Sequence, residues 1–130
     1  MAKEPRHFLL VKGKPMNYDA ANALARQIRE SDEAREYARL KDIVNASETT
    51  RALLKEYRRL QVMVQMAAIS GQALPSEEMS RFQSISSLLY GGTDTSQYLL
   101  AEMRLQQALA DIYNIISNAA GIQLELPGIE

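Results

Sequence analysis

The stretch SETTRALLKEYRRLQVMVQMAAISG, residues 47–71, decides how this chain is read. Leu53, Leu54, Tyr57, Leu60, Val64 and Ala67 recur at spacings of three and four, the period of a helix with one buried face. Ser47 is placed to cap it, Glu48 sits in its first turn at the positive end of the helix dipole, and Gly71 is the expected stop. From Val62 to Ile69 the apolar residues spread around the axis, through Met63, Met66 and Ala68. A half-helix of that kind has to be covered on more than one side.

Outward from this segment the same period continues in both directions. Asn17 or Asp19 caps a first helix to about Glu30, with Ala21, Leu24, Ala25 and Ile28 on one face. Ser31 is read as the cap of a second, striped by Ala34, Tyr37, Ala38, Leu40 or the stem of Lys41, and Val44. On the other side, Ser76 is read as the cap of a fourth helix with Met79, Phe82, Ile85 and Leu89 on its apolar face, ended by Gly91-Gly92. Thr93-Asp94 opens the fifth and longest. Tyr98, Ala101, Leu105, Ala108, Ile112, Ile115 and Ala119 form its stripe, and Gly121 is its stop. No strand alternation is sustained after residue 16.

The expectation is therefore an all-α protein of about five helices in an antiparallel bundle or open helical array. Residues 17–121 form the helical domain, residues 1–16 a basic leader (irregular or a short strand at Phe8–Val11) and residues 122–130 an irregular tail. The long third and fifth helices form the core. They carry more apolar surface than a chain of 130 residues is expected to hide, so they are also the expected dimer interface. Met63, Met66, Tyr98 and Leu105 are the candidate positions at an oligomer or partner interface.

Composition narrows the function classes. The net charge is −1, which gives no global attraction to nucleic acid or to an anionic membrane. The charge is uneven, because Lys3, Arg6, Lys12 and Lys14 outweigh Glu4 in the leader. There is no cysteine, which removes disulfides, thiolate nucleophiles and Cys-ligated metal. No signal peptide or membrane span is evident, and the expected location is the cytoplasm.

No catalytic, cofactor-binding or metal-binding residues are expected. His7 is the sole histidine and lies in the leader without positioned neighbours. Glu77 and Glu78 are adjacent, which on a helix turns them about 100° apart, so helix-start electrostatics accounts for them. Asp32, Glu33 and Glu36 have Arg29, Arg35, Arg39 and Lys41 near them and read as a solvated face. Arg51, Lys55, Arg58 and Arg59 are the densest basic cluster. They are the candidate nucleic-acid contact of an alternative reading, direct RNA binding, although Glu48 and Glu56 are interleaved and no aromatic platform accompanies them.

The order of elements also carries a family resemblance. Asn17-Tyr18-Asp19-Ala20 leads to Leu24-Ala25 and Ile28-Arg29-Glu30-Ser31, then to Glu36-Tyr37. There follow Leu54-Lys55-Glu56-Tyr57-Arg58-Arg59-Leu60-Gln61, Ser70-Gly71-Gln72-Ala73-Leu74, Tyr98-Leu99-Leu100-Ala101-Glu102 and Asp111-Ile112-Tyr113-Asn114-Ile115-Ile116. This resembles the YlbF/YmcA family of small helical proteins of Gram-positive bacteria, including its YheA-like branch, over residues 17–121. The resemblance implies a helical, oligomer-forming, cytosolic regulator of biofilm formation, competence or sporulation. It also implies a complex that influences ribonuclease Y and mRNA processing. Some relatives bind an iron–sulfur cluster through cysteines, a property that does not transfer to a chain with none.

Overall fold

In a computed structural model, the structure describes residues 14–122. Most of the leader, including His7 and Phe8–Val11, and nearly all of the tail lie outside the described residues. Five helices follow one another: α1 Asp19–Glu30, α2 Asp32–Asn45, α3 Glu48–Ser70, α4 Ser76–Gly91 and α5 Thr93–Ala120. Among the described residues there is no strand.

The ends of the helices show why the chain starts and stops them there. Ser47 is extended, and its hydroxyl accepts from the Thr50 amide, satisfying one of the free donors at the start of α3. Gly71 and Gly121 end α3 and α5 in the left-handed region, φ 74° and 78°, where a residue without a Cβ is at ease. Asn17 contributes to the start of α1, its side-chain oxygen accepting from the Asp19 amide.

Of two expected caps, one serves two helices and one is displaced. Ser31 stands in extended conformation immediately before α2, as expected, and is also the C-cap of α1, its hydroxyl donating to the Ile28 carbonyl behind it. Ser76 is the first residue of α4 rather than its cap. Pro75 takes that position in extended conformation, and its carbonyl receives the first helical bond from Met79. Proline has no amide hydrogen to leave unpaired, so it fits the approach to a helix as well as its first position.

The chain divides into two compact units, one ending at Ser31 and one beginning at Asp32. The first contains α1, a strongly amphipathic helix with Leu24 and Ile28 half-buried. The second contains α2 to α5, with α2 packed most extensively on α5, and α4 packed on both α3 and α5. Its core is a single cluster: Leu40 and Val44 from α2, Leu54, Tyr57 and Leu60 from α3, Ile85 and Leu89 from α4, and Tyr98, Leu99 and Ala101 from α5. Leu40, Leu60 and Leu89 are the most completely buried, and each such leucine contributes about 1.5–3 kcal/mol through burial. Both long helices thus supply the core, but mainly from their N-terminal halves. After Leu60, α3 has no buried residue.

Candidate interaction surfaces

The second half of α3 leaves its core and keeps its apolar composition. Val62, Met66 and Ile69 are 55%, 63% and 86% exposed. Met63 is half-buried against the core cluster. On α5, Leu105, Leu109 and Ile112 are half-buried, while Ile115 and Ile116 are exposed. Leu88 and Tyr90 on α4 are exposed as well. Large side chains of this kind, gathered on the same helices, are the feature that marks an interface.

The four candidate interface positions therefore separate. Met66 is open, and Met63 and Leu105 are partly covered. Tyr98 is buried in the chain's own core, so truncating it would damage the fold before any assembly. Its ring stacks on Tyr37 at 5.4 Å, and the two hydroxyls lie 3.4 Å apart. Leu99, which the α5 stripe omitted, is buried beside it. An apolar residue one position off a stripe is ambiguous in a sequence when two faces of the helix are covered.

The basic cluster is largely engaged. Arg58 donates two hydrogen bonds to Glu102 of α5 and a third to the Tyr98 hydroxyl. Arg59 grips Glu56 through two bonds, 2.9 and 2.7 Å, and the same carboxylate lies 3.3 Å from Arg81 of α4. The hydrogen bonds from Arg59 hold the Glu56 carboxyl below its ordinary pKa. Arg51 donates to the Asn45 carbonyl and lies 3.9 Å from Glu48. Lys55 is exposed and has no ion pair among the described residues.

An open cavity of about 630 Å³ lies along α2 and α5, lined by Asp32, Glu33, Arg35, Glu36, Arg39, Ala101 and Arg104. Arg39 pairs with Glu36 at 2.9 Å and lowers its pKa. Equal numbers of acidic and basic groups line it, so it has no net field to select an anion or a cation. Among the described residues, no group of three or more His, Cys, Asp or Glu residues could hold a metal ion. No helix among them is long and apolar enough to cross a membrane.

Comparison with known proteins agrees with this architecture. Residues 17–120 match the family described as "Control of competence regulator ComK, YlbF/YmcA". A "UPF0342 protein" of Halothermothrix orenii is 36% identical over 99 residues, covering 76% of this chain and 84% of the relative. A second, of Bacillus velezensis, is 31% identical over 99 residues, covering 76% and 85%. A solved structure, "Protein of Unknown Function (DUF964) from Bacillus stearothermophilus", shares the fold with a TM-score of 0.64. At 18% identity it covers 80% of this chain and 91% of that one. The family match spans the five helices, and the all-helical fold agrees with it: the chain belongs to the YlbF/YmcA family of helical regulatory proteins.

Proposed function

We propose that the protein is a non-catalytic interaction module that regulates by assembling with other polypeptides in the cytoplasm. A second copy, or a related helical subunit, covers apolar surface left open on α3 and α5. The assembly acts on biofilm formation, competence or sporulation through a complex that modulates ribonuclease Y-dependent mRNA processing. The observation that supports this is the exposure of Val62, Met66, Ile69, Ile115 and Ile116 beyond the core, at 53–86%. Covering such side chains releases their hydration water, the main driving force of most protein association. Direct RNA binding has less support, because Arg51, Arg58 and Arg59 already have protein acceptors.

The test is a chromosomal replacement in a native host. Met66→Glu with Ile116→Glu should leave the far-UV circular-dichroism spectrum of the purified protein helical, because both side chains are more than half exposed within the chain, and should lower its melt only to that of wild-type monomer. It should shift the light-scattering mass to that of a monomer and reproduce the transcript-processing defect of a deletion strain. A wild-type chain that is strictly monomeric at micromolar concentration would remove self-assembly. A variant strain that processes transcripts normally would remove the regulatory reading.

A further inference from the structure

α1 has no buried residue. Ala21, Leu24, Ala25 and Ile28 share one of its faces, the alanines exposed and the other two half-buried. Its charged residues, Asp19, Arg26, Arg29 and Glu30, all lie about 100° or more from the middle of that face. A helix of 12 residues is marginal in water unless its apolar face is packed on something.

The second half of α5 has the complementary need. Tyr98 and Ala101 on its inner face are buried in the core, but from Leu105 onward that face is at best half-covered. Ala108 and Ile112 are half-buried, and Ile115 and Ile116 are 68% and 53% exposed. Asp111 is the only charged residue of α5 from Leu105 to Ala120. One chain carries both apolar faces and leaves both open.

We propose that α1 of one copy lies along the second half of α5 of a second copy, and the reverse, with Leu24 and Ile28 packed against Ile112 and its neighbours. This rests on the reading of the protein as a self-assembling interaction module, and it names the segment that does the covering.

The joint between α1 and α2 favours exchange. It is the single residue Ser31, extended, with its hydroxyl on the Ile28 carbonyl of α1. That is shorter than the roughly two to five residues that return one helix onto the next as a hairpin. Short hinges promote exchange of an element between copies. A two-fold pair then satisfies both faces in both copies and leaves none over. The sizes agree: at 1.5 Å per residue α1 is about 18 Å long and Leu105–Ala119 about 22 Å. Ala21 and Ala25 on one face, and Ala108 and Ala119 on the other, leave room for the larger residues opposite. Charge separates α5 from α3 as the receiving helix. Arg29 borders the apolar face of α1 and Asp111 that of α5, and neither has an ion pair among the described residues. α3 has no carboxylate after Glu56, which already holds Arg59. Opposite charges at the rim of an apolar contact help to set which surfaces meet.

The test uses two full-length variants, Leu24→Glu and Ile112→Lys. Each changes the middle of its face, so the two positions oppose one another whichever way the helices run. Alone, each should lower the light-scattering mass at micromolar concentration by about half or more, while the far-UV circular-dichroism spectrum stays helical. Mixed in equal amounts, they should regain the wild-type mass. One contact of the mixed pair joins Glu to Lys, and the other is wild type on both sides. Mixing repairs nothing if α1 packs on its own chain. The absence of native cysteine allows a second measurement on a nearly unaltered chain. Ala25→Cys in a tagged copy and Ala108→Cys or Ile115→Cys in an untagged copy, treated with a bismaleimide, should give a band at the summed mass on a denaturing gel.

A Leu24→Glu variant that keeps the wild-type mass would overturn the proposal. So would a failure to regain mass on mixing together with no bridged band between copies. Recovery of Leu24→Glu by Met66→Lys in place of Ile112→Lys would move α1 to α3 and overturn it as well. If Leu24→Glu keeps its mass while Met66→Glu with Ile116→Glu loses it, the exchange is removed and self-assembly stands. A strictly monomeric wild-type chain removes both.

Discussion

Arg58 on α3 and Glu102 on α5 are joined by two parallel hydrogen bonds, 3.1 and 2.9 Å long. The two helices share the core cluster through side chains, while α3 packs directly on α4 and α2, and α5 on α2 and α4. This pair therefore ties together two helices that the remaining packing connects mainly through intermediates. Glu102 is 18% exposed and Arg58 is 40% exposed, so solvent screens the pair in part.

Glu102→Gln should accordingly lower stability by about 1–2 kcal/mol in urea denaturation, less than the loss of one partner in a fully buried pair. Arg58→Ala should cost at least as much, because Tyr98 loses a donor too. A double-mutant cycle giving no coupling between Arg58 and Glu102 would show that the pair is incidental to the fold.

Leucine and isoleucine on the same helix should behave oppositely. Leu60 is 0% exposed, and Leu60→Ala should cost about 2–5 kcal/mol, through lost burial and the cavity left behind. Ile69 is 86% exposed, and Ile69→Ala should change the stability of the isolated chain by less than about 0.5 kcal/mol. Equal losses in the urea midpoint would mean that Ile69 is covered in solution.

Gly71→Ala isolates backbone conformation from packing. A Cβ at this position meets nothing within 4 Å, yet φ is +74°. The substitution should cost about 1 kcal/mol, all of it from the left-handed backbone. A neutral result in thermal melting would show that the end of α3 rewinds without penalty.

Alkaline pH should weaken the fold through Tyr37. Burial, reinforced by the Tyr98 hydroxyl, pushes the Tyr37 phenol up from 10.0 to about 12. Between those values the unfolded chain has released a proton that the folded chain retains, so stability falls as pH rises from about 10 to about 12. Tyr37→Phe should reduce that fall in pH-dependent urea melts, the remainder coming from Tyr57, whose phenol burial likewise pushes up to about 12. An unchanged slope would mean that Tyr37 ionises freely in the folded protein.

Much of this structure is legible in the sequence, for local reasons. Ser47, Gly71 and Gly121 act within one turn of their own positions, and the period of three and four locates Leu54, Tyr57, Leu60, Ile85 and Leu89 correctly in the core. Caps are harder to read where another residue can take the position: Pro75 stands where Ser76 was expected, and Ser31, the one residue between α1 and α2, also turns its hydroxyl back to the Ile28 carbonyl. Tyr98 looked like interface because periodicity reports that a side chain is covered and not by whom. Arg58 gave no sign of its partner, since Glu102 lies 44 positions away.

The last ten residues of α3 are held by its own hydrogen-bond ladder and by side chains that are at best half-covered. Such a segment has little to oppose fraying when the chain is alone, because helical stability in proteins comes chiefly from tertiary packing. A companion bound there would supply the missing protection, so occupancy and local rigidity rise together. Surplus copies made without that companion would offer proteases an unguarded helix end. The cell's supply of the protein would then follow the supply of whatever it binds.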